Sequence, residues 1–185
     1  MRRGDGAVGD VATIGRGDGA VILLRFSIAL APEASVVEAY LLLERVPGID
    51  ADPVAMTLHA TRIAGAWDSR SLSWARQPLT DEMGAPVTRV VPAAGRLVRL
   101  DVGTLVQRWR RRAADDFGLA VVTEGESPTG MPIALGPVDV PADRDDPVLA
   151  AHTAPGIQDP RTAAPASVGD PRRQLAGPRL ELYVR

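Results

Sequence analysis

Two neighbouring stretches alternate apolar and polar residues, and that alternation constrains the chain more than any other feature it carries. Across Val36 to Val46, Val37, Ala39, Leu41 and Leu43 share one face while Glu38, Tyr40 and Glu44 share the other. Across Val54 to Ile63, Met56, Leu58 and Ala60 point one way and Thr57, His59 and Thr61 the other. Successive side chains of a strand project to opposite faces, so a period of two means one face in a core and one in water. Such half-wet strands belong to antiparallel sheets. A third strand-length stretch, Ala20 to Ala29, precedes them, and the turn residues Pro47-Gly48 and Asp50 to Pro53 separate the two.

Later strand candidates are Arg96 to Leu100, Phe117 to Thr123, Met131 to Gly136 and Arg179 to Val184. In the last, Leu180, Leu182 and Val184 alternate with Arg179, Glu181 and Tyr183. One segment breaks the period. Val102, Leu105, Val106 and Trp109 fall at i, i+3, i+4 and i+7, which predicts a short amphipathic helix near 102–112 with Asp101 as its N-cap. The basic run Arg108 to Arg112 suits the negative end of that helix and reads as a solvated terminus. The segment 137–177, rich in Pro, Ala, Asp and Gly, has no sustained period and reads as one long irregular loop. The chain therefore reads as all-β with one helix, a single domain spanning residues 1–185.

Composition removes several function classes. At 185 residues a single domain buries roughly 70% of its unfolded surface, so no disulfide staples are needed, and there are 0 cysteines to make them. A net charge of -2 offers no electrostatic footprint for nucleic acid, and all 21 basic residues are arginine, a bias attributable to genome composition. Nucleic acid is not an expected partner. The first ten residues lack an apolar stretch and do not read as a signal peptide. The most apolar run, Ala20 to Leu24, is cut by Arg25 and falls far short of the roughly 20 residues of a membrane span.

Two tryptophan-bearing segments identify the architecture further: Trp67-Asp-Ser-Arg-Ser-Leu-Ser-Trp74 and Asp101-Val-Gly-Thr-Leu-Val-Gln-Arg-Trp109. Trp67 to Pro78 is similar to the W-x-E-x-x-x-T-W-x-x-x-P segment, and Leu100 to Trp109 to the F-D-V-T-x-L-V-Q-x-W helix, of the DNRLRE-domain proteins. Leu23 to Ser27 looks like that family's L-L-R-F-D strand, and Ala34 to Leu43 like its A-x-V-x-x-A-x-L-x-L strand. Phe117 to Val121 resembles its Y-G-L-x-L strand, and Pro178 to Tyr183 its closing P-R-L-x-V-x-Y strand. These matches keep the family's order from Leu23 to Tyr183. The resemblance implies an antiparallel β-sandwich, jelly-roll-like, and an extracellular or cell-surface setting with carbohydrate as ligand class. Ser27 and Ser69 depart from the pattern where an acid is usual. The family's first strand is shortened, which leaves its place to Asp10 to Ile14 or to a strand from a partner.

No residues stand out for catalysis. The histidines are His59 and His152 alone, with no triad, metal-ligand spacing or phosphate loop around them. Asp139, Asp143, Asp145 and Asp146 could offer oxygen ligands to Ca²⁺, but they lack the glycine-punctuated spacing of a calcium loop and read as a solvated acidic stretch. Arg-Gly-Asp occurs at Arg3 to Asp5 and at Arg16 to Asp18, where Gly-Asp-Gly is ordinary turn chemistry. The tryptophans read as fold anchors. Tyr40 and Tyr183, alternating with Glu and Arg, are the better candidates for ligand contact, with His59 on the polar face of its own strand as a third. The expected role is a non-catalytic module binding carbohydrate. The alternative is a structural or decorating subunit whose protein partner docks on a sheet edge or on the 137–177 loop, giving an oligomer.

Overall fold

A computed structural model of the chain describes residues 10–15, 21–47, 55–73, 75–81, 87–91, 96–124, 130–141 and 172–185. The expected β-rich, antiparallel organisation is present, with one short helix. The strands are β1 (Val11–Ile14), β2 (Ile22–Leu24), β3 (Val36–Glu44), β4 (Met56–Arg62), β5 (Val87–Val91) and β6 (Leu97–Asp101). Helix α1 (Gly103–Arg111) and a single 3₁₀ turn at Ala113–Asp115 follow, and then β7 (Leu119–Glu124), β8 (Met131–Ala134), β9 (Val138–Pro141), β10 (Arg172–Leu175) and β11 (Arg179–Val184).

Every pairing among the described strands is antiparallel. One sheet runs β11-β3-β6 and a second β2-β7-β4-β5, while β1 pairs with β8 and β9 with β10. The inward residues of the two larger sheets meet in one cluster. Ala39, Leu41 and Leu43 of β3 and Val98 and Leu100 of β6 pack with Met56, Leu58 and Ala60 of β4 and Leu119 and Val121 of β7. Burial of that apolar surface, at roughly 25 cal/mol per Å², is the main force holding the sheets to each other. A smaller cluster of Val46, Ala134, Val140 and Leu175 ties the β9–β10 pair to the β1–β8 pair.

The amphipathic stripe read from sequence is the buried face of α1. Val102 and Val106 are fully enclosed and Trp109 is 3% exposed, with Leu105 at the cluster's margin. Asp101 is not the N-cap. It ends β6, Val102 takes the cap position, and the Asp101 carboxylate accepts the Gly103 N–H at 2.9 Å, a local turn that still satisfies a free donor of the first helical turn.

Four further expectations need correction. Val37 does not face the core; it is 50% exposed. The β3–β11 register jumps here, from Tyr183 opposite Glu38 to Val184 opposite Val36, so Val37 is an extra residue that inverts the alternation and turns Val36 inward. Glu44 is not on a wet face but 6% exposed, because chain from beyond β10 covers it. The strand expected over Ala20 to Ala29 is only the three residues of β2. The segment 137–177 is not irregular throughout, since its two ends are the paired strands β9 and β10.

Gly118 shows why glycine precedes β7. Its φ is +90°, a conformation that side-chain-bearing residues rarely adopt, and a Cβ there would lie against the Leu24 carbonyl. The neighbouring Phe117 carbonyl accepts the Trp67 indole N–H at 2.7 Å, so Trp67 pins its own segment to the start of β7. Trp74 lies outside the described residues.

Candidate functional site

The outward face of the β11-β3-β6 sheet collects aromatic and charged side chains from all three strands. Register sets the rows. Tyr183 lies opposite Glu38, Tyr40 sits between Glu181 and Asp101, and Leu42 between Arg179 and Arg99. Tyr40 and Tyr183 are therefore diagonal neighbours, and their rings meet edge to face with centroids 6.1 Å apart and planes at 85°. Arg99, on the opposite diagonal, lays its guanidinium 3.6 Å from the Tyr40 ring centroid. It also comes within 3.9 Å of Glu181.

Tyr40 is thus engaged on several sides. Its hydroxyl donates to Glu38 Oε2 at 3.0 Å, and that bond, with the adjacent negative charge, holds the phenol above its ordinary pKa despite the opposing pull of Arg99. Tyr183 is the open member of the pair, 49% exposed. Tyr40 orders the patch and Tyr183 offers the free ring surface. Alternation alone marks both tyrosines but not Arg99, whose relation to Tyr40 depends on the β3–β6 register.

The lower end of this face is closed by an ion pair. Glu44 accepts from the Arg179 guanidinium at 2.8 Å and from the Ala176 N–H at 3.1 Å. A carboxylate that loses its water is stabilised only when donors replace it, and these two supply that replacement.

His59 is elsewhere. It projects from β4 on the outward face of the other large sheet, between Thr57 and Thr61, with Nε2 3.2 Å from Glu124 Oε2 and 23% of its side chain exposed. The structure brings Tyr40 and Tyr183 together and leaves His59 on a separate surface.

The basic run of α1 is only partly a solvated terminus. Arg110 donates to the Ala34 and Pro32 carbonyls at 2.6 and 3.3 Å, and Gln107 to the Val36 carbonyl at 3.3 Å, which together hold the approach to β3. Arg108 lies 3.6 Å from Asp81, itself bound by Arg62 at 2.8 Å. Arg111 and Arg185 line an open groove of ≈ 550 Å³ beside Ser35 and Val37.

Of the acids considered for Ca²⁺, Asp139 is exposed on β9, and Asp143, Asp145 and Asp146 lie outside the described residues. Among the described residues, no group of three or more His, Asp or Glu side chains is placed to hold a metal ion. No described helix is long and apolar enough to cross a membrane. No family model and no curated protein matches the chain.

Proposed function

We propose that the chain is a non-catalytic β-sandwich module of jelly-roll type that binds carbohydrate on the outward face of the β11-β3-β6 sheet. The observation that carries this reading is Tyr183, a half-exposed ring that meets Tyr40 edge to face and has Glu38 opposite and Glu181 beside it, with Arg99 stacked on the far side of the patch over Tyr40. A pyranose presents C–H groups on its flat side and hydroxyls around its rim. An aromatic ring complements the first, and carboxylates and a guanidinium complement the second. The two large sheets enclosing one apolar cluster support the sandwich, and the resemblance to DNRLRE-domain proteins supports the ligand class.

The test is a glycan array followed by calorimetric titration of the ligands it retains, on the native chain and on Tyr183→Ala. Retention of one glycan class and loss of its affinity in Tyr183→Ala is the expected result. A sugar-blind native chain sinks the reading.

A second reading, a subunit of a larger protein assembly, is favoured by a different observation. Strand β11 pairs with β3 on one side, and no described strand lies on the other. A strand edge of that length with no partner among the described residues is suited to receive another strand.

A further inference from the structure

We infer that two copies of this chain pair antiparallel through β11, with Leu180 opposite Leu180 and Arg179 of each copy opposite Glu181 of the other. This names the partner within the assembly reading and is independent of carbohydrate recognition.

The direction of the backbone groups along β11 follows from the end of the strand. Arg185 and Ser35 exchange both N–H···O bonds, at 3.0 and 2.9 Å, so Arg185 directs its backbone toward β3. Backbone groups alternate sides along a strand, and the extra residue at Val37 is on β3, so β11 continues regularly. Arg179, Glu181 and Tyr183 therefore bond to β3, while Leu180 and Leu182 turn N–H and C=O outward. Two such edges related by a two-fold axis present the same pattern to each other.

The side chains select the register. With the axis at Leu180, its backbone exchanges two bonds with its own symmetry mate, and the Leu182 N–H reaches the Pro178 carbonyl of the second copy. On the outward face Arg179 then stands opposite Glu181 twice, opposite charges in the position where cross-strand pairs interact most. Sliding by two residues places Glu181 against itself, and sliding further places Arg179 against Arg185. Pro178 has no N–H, so the ladder ends there. On the inward face the partly buried Leu180 and Leu182 extend the apolar margin of the core across the junction. The product is a six-stranded sheet, β6-β3-β11-β11-β3-β6, with the Tyr40–Tyr183 patches of both copies on one face.

Light scattering on size-exclusion fractions of the native chain, over a wide concentration series, reads this directly. A mass rising to twice that of the chain is expected. Glu181→Arg alone and Arg179→Glu alone each set like charges opposite and should elute as folded monomers, folding being checked by circular dichroism. Mixed together, they restore Arg–Glu pairs at both positions and should form a heterodimer. If Arg179→Glu loses its fold with the Glu44 pair, Glu181→Arg and its mixture with native chain still decide. Native β11 against β11 of the Glu181→Arg variant leaves one pair attractive and one repulsive, so the mixture should associate more weakly than native chain and more strongly than the variant with itself. A native chain that stays monomeric, a dimer that survives Glu181→Arg unchanged, or folded variants that fail to combine overturns the inference. A monomer that still binds glycan leaves the proposed function standing.

Discussion

The two large sheets share one core yet differ in what they turn outward. The β11-β3-β6 sheet presents tyrosines, arginines and carboxylates packed on one another, whereas β4 of the other sheet presents Thr57, His59 and Thr61, with His59 tied to Glu124. Inward, both supply aliphatic residues to the same cluster. Stability is therefore common property of the sheets, and the recognition we propose belongs to one of them.

The largest effect falls on what the sheets share. Trp109 is buried in the cluster both of them line, and Trp109→Ala should cost about 3 to 5 kcal/mol, as large aromatic truncations do. Because no sheet owns the cluster, urea unfolding followed by circular dichroism and by fluorescence of the remaining tryptophans should give coincident curves, both shifted. Curves that separate would mean that the sheets are stabilised independently.

Next comes the division of labour within the patch. Tyr183→Ala should weaken glycan binding about tenfold, about 1.4 kcal/mol, with little loss of stability because the ring is half in water. Tyr40→Ala removes the ring beneath Arg99 and the contact that steadies Tyr183, so it should lower both affinity and the urea midpoint of unfolding, the second by less than Trp109→Ala does. Equal behaviour of the two variants in both measurements would erase the distinction between an ordering and a contacting tyrosine.

How much of this is legible in sequence follows from what each feature depends on. The faces of β4 and β11 are written in their own alternation, and the α1 stripe in its own i, i+3, i+4 spacing. Alternation misplaces Val37 because a bulge is a property of a pair of strands, visible only when β11 is laid against β3. Glu44 carries no local sign of burial, since the arginine that satisfies it is Arg179, on the other side of the chain's least periodic region. The ends of segment 137–177 give no readable signal because Val138 and Val140 alternate too briefly to register, and the partner strand begins only at Arg172. Tyr40 and Tyr183 are legible from the strands that carry them, while Arg99 needs the β3–β6 register.

A smaller effect sharpens the electrostatics of the patch. Tyr40 gives up its proton above the ordinary phenol range because it donates to Glu38, so Glu38→Gln should bring its ultraviolet titration back down toward ordinary tyrosine. The native pKa is the raised one. The bond's contribution to stability is thus complete below the ordinary phenol pKa and is lost as pH climbs through the native value, which confines the effect to strongly alkaline solution. An unchanged Tyr40 titration in Glu38→Gln would assign the shift to some other neighbour.

The smallest effect is expected at His59, and its smallness is the point. The pair with Glu124 is at the surface, where such contacts contribute between zero and about 1 kcal/mol, and it lies on the sheet without the aromatic patch. His59→Ala should leave both glycan affinity and oligomeric mass unchanged and shift the unfolding midpoint only slightly. Tyr40 and Tyr183 share the β11-β3-β6 sheet, whereas His59 belongs to β4 of the β2-β7-β4-β5 sheet and is no part of their patch. A marked loss of affinity in His59→Ala, with stability intact, would move the binding surface to the β2-β7-β4-β5 sheet and leave the ordered tyrosines as a purely structural feature.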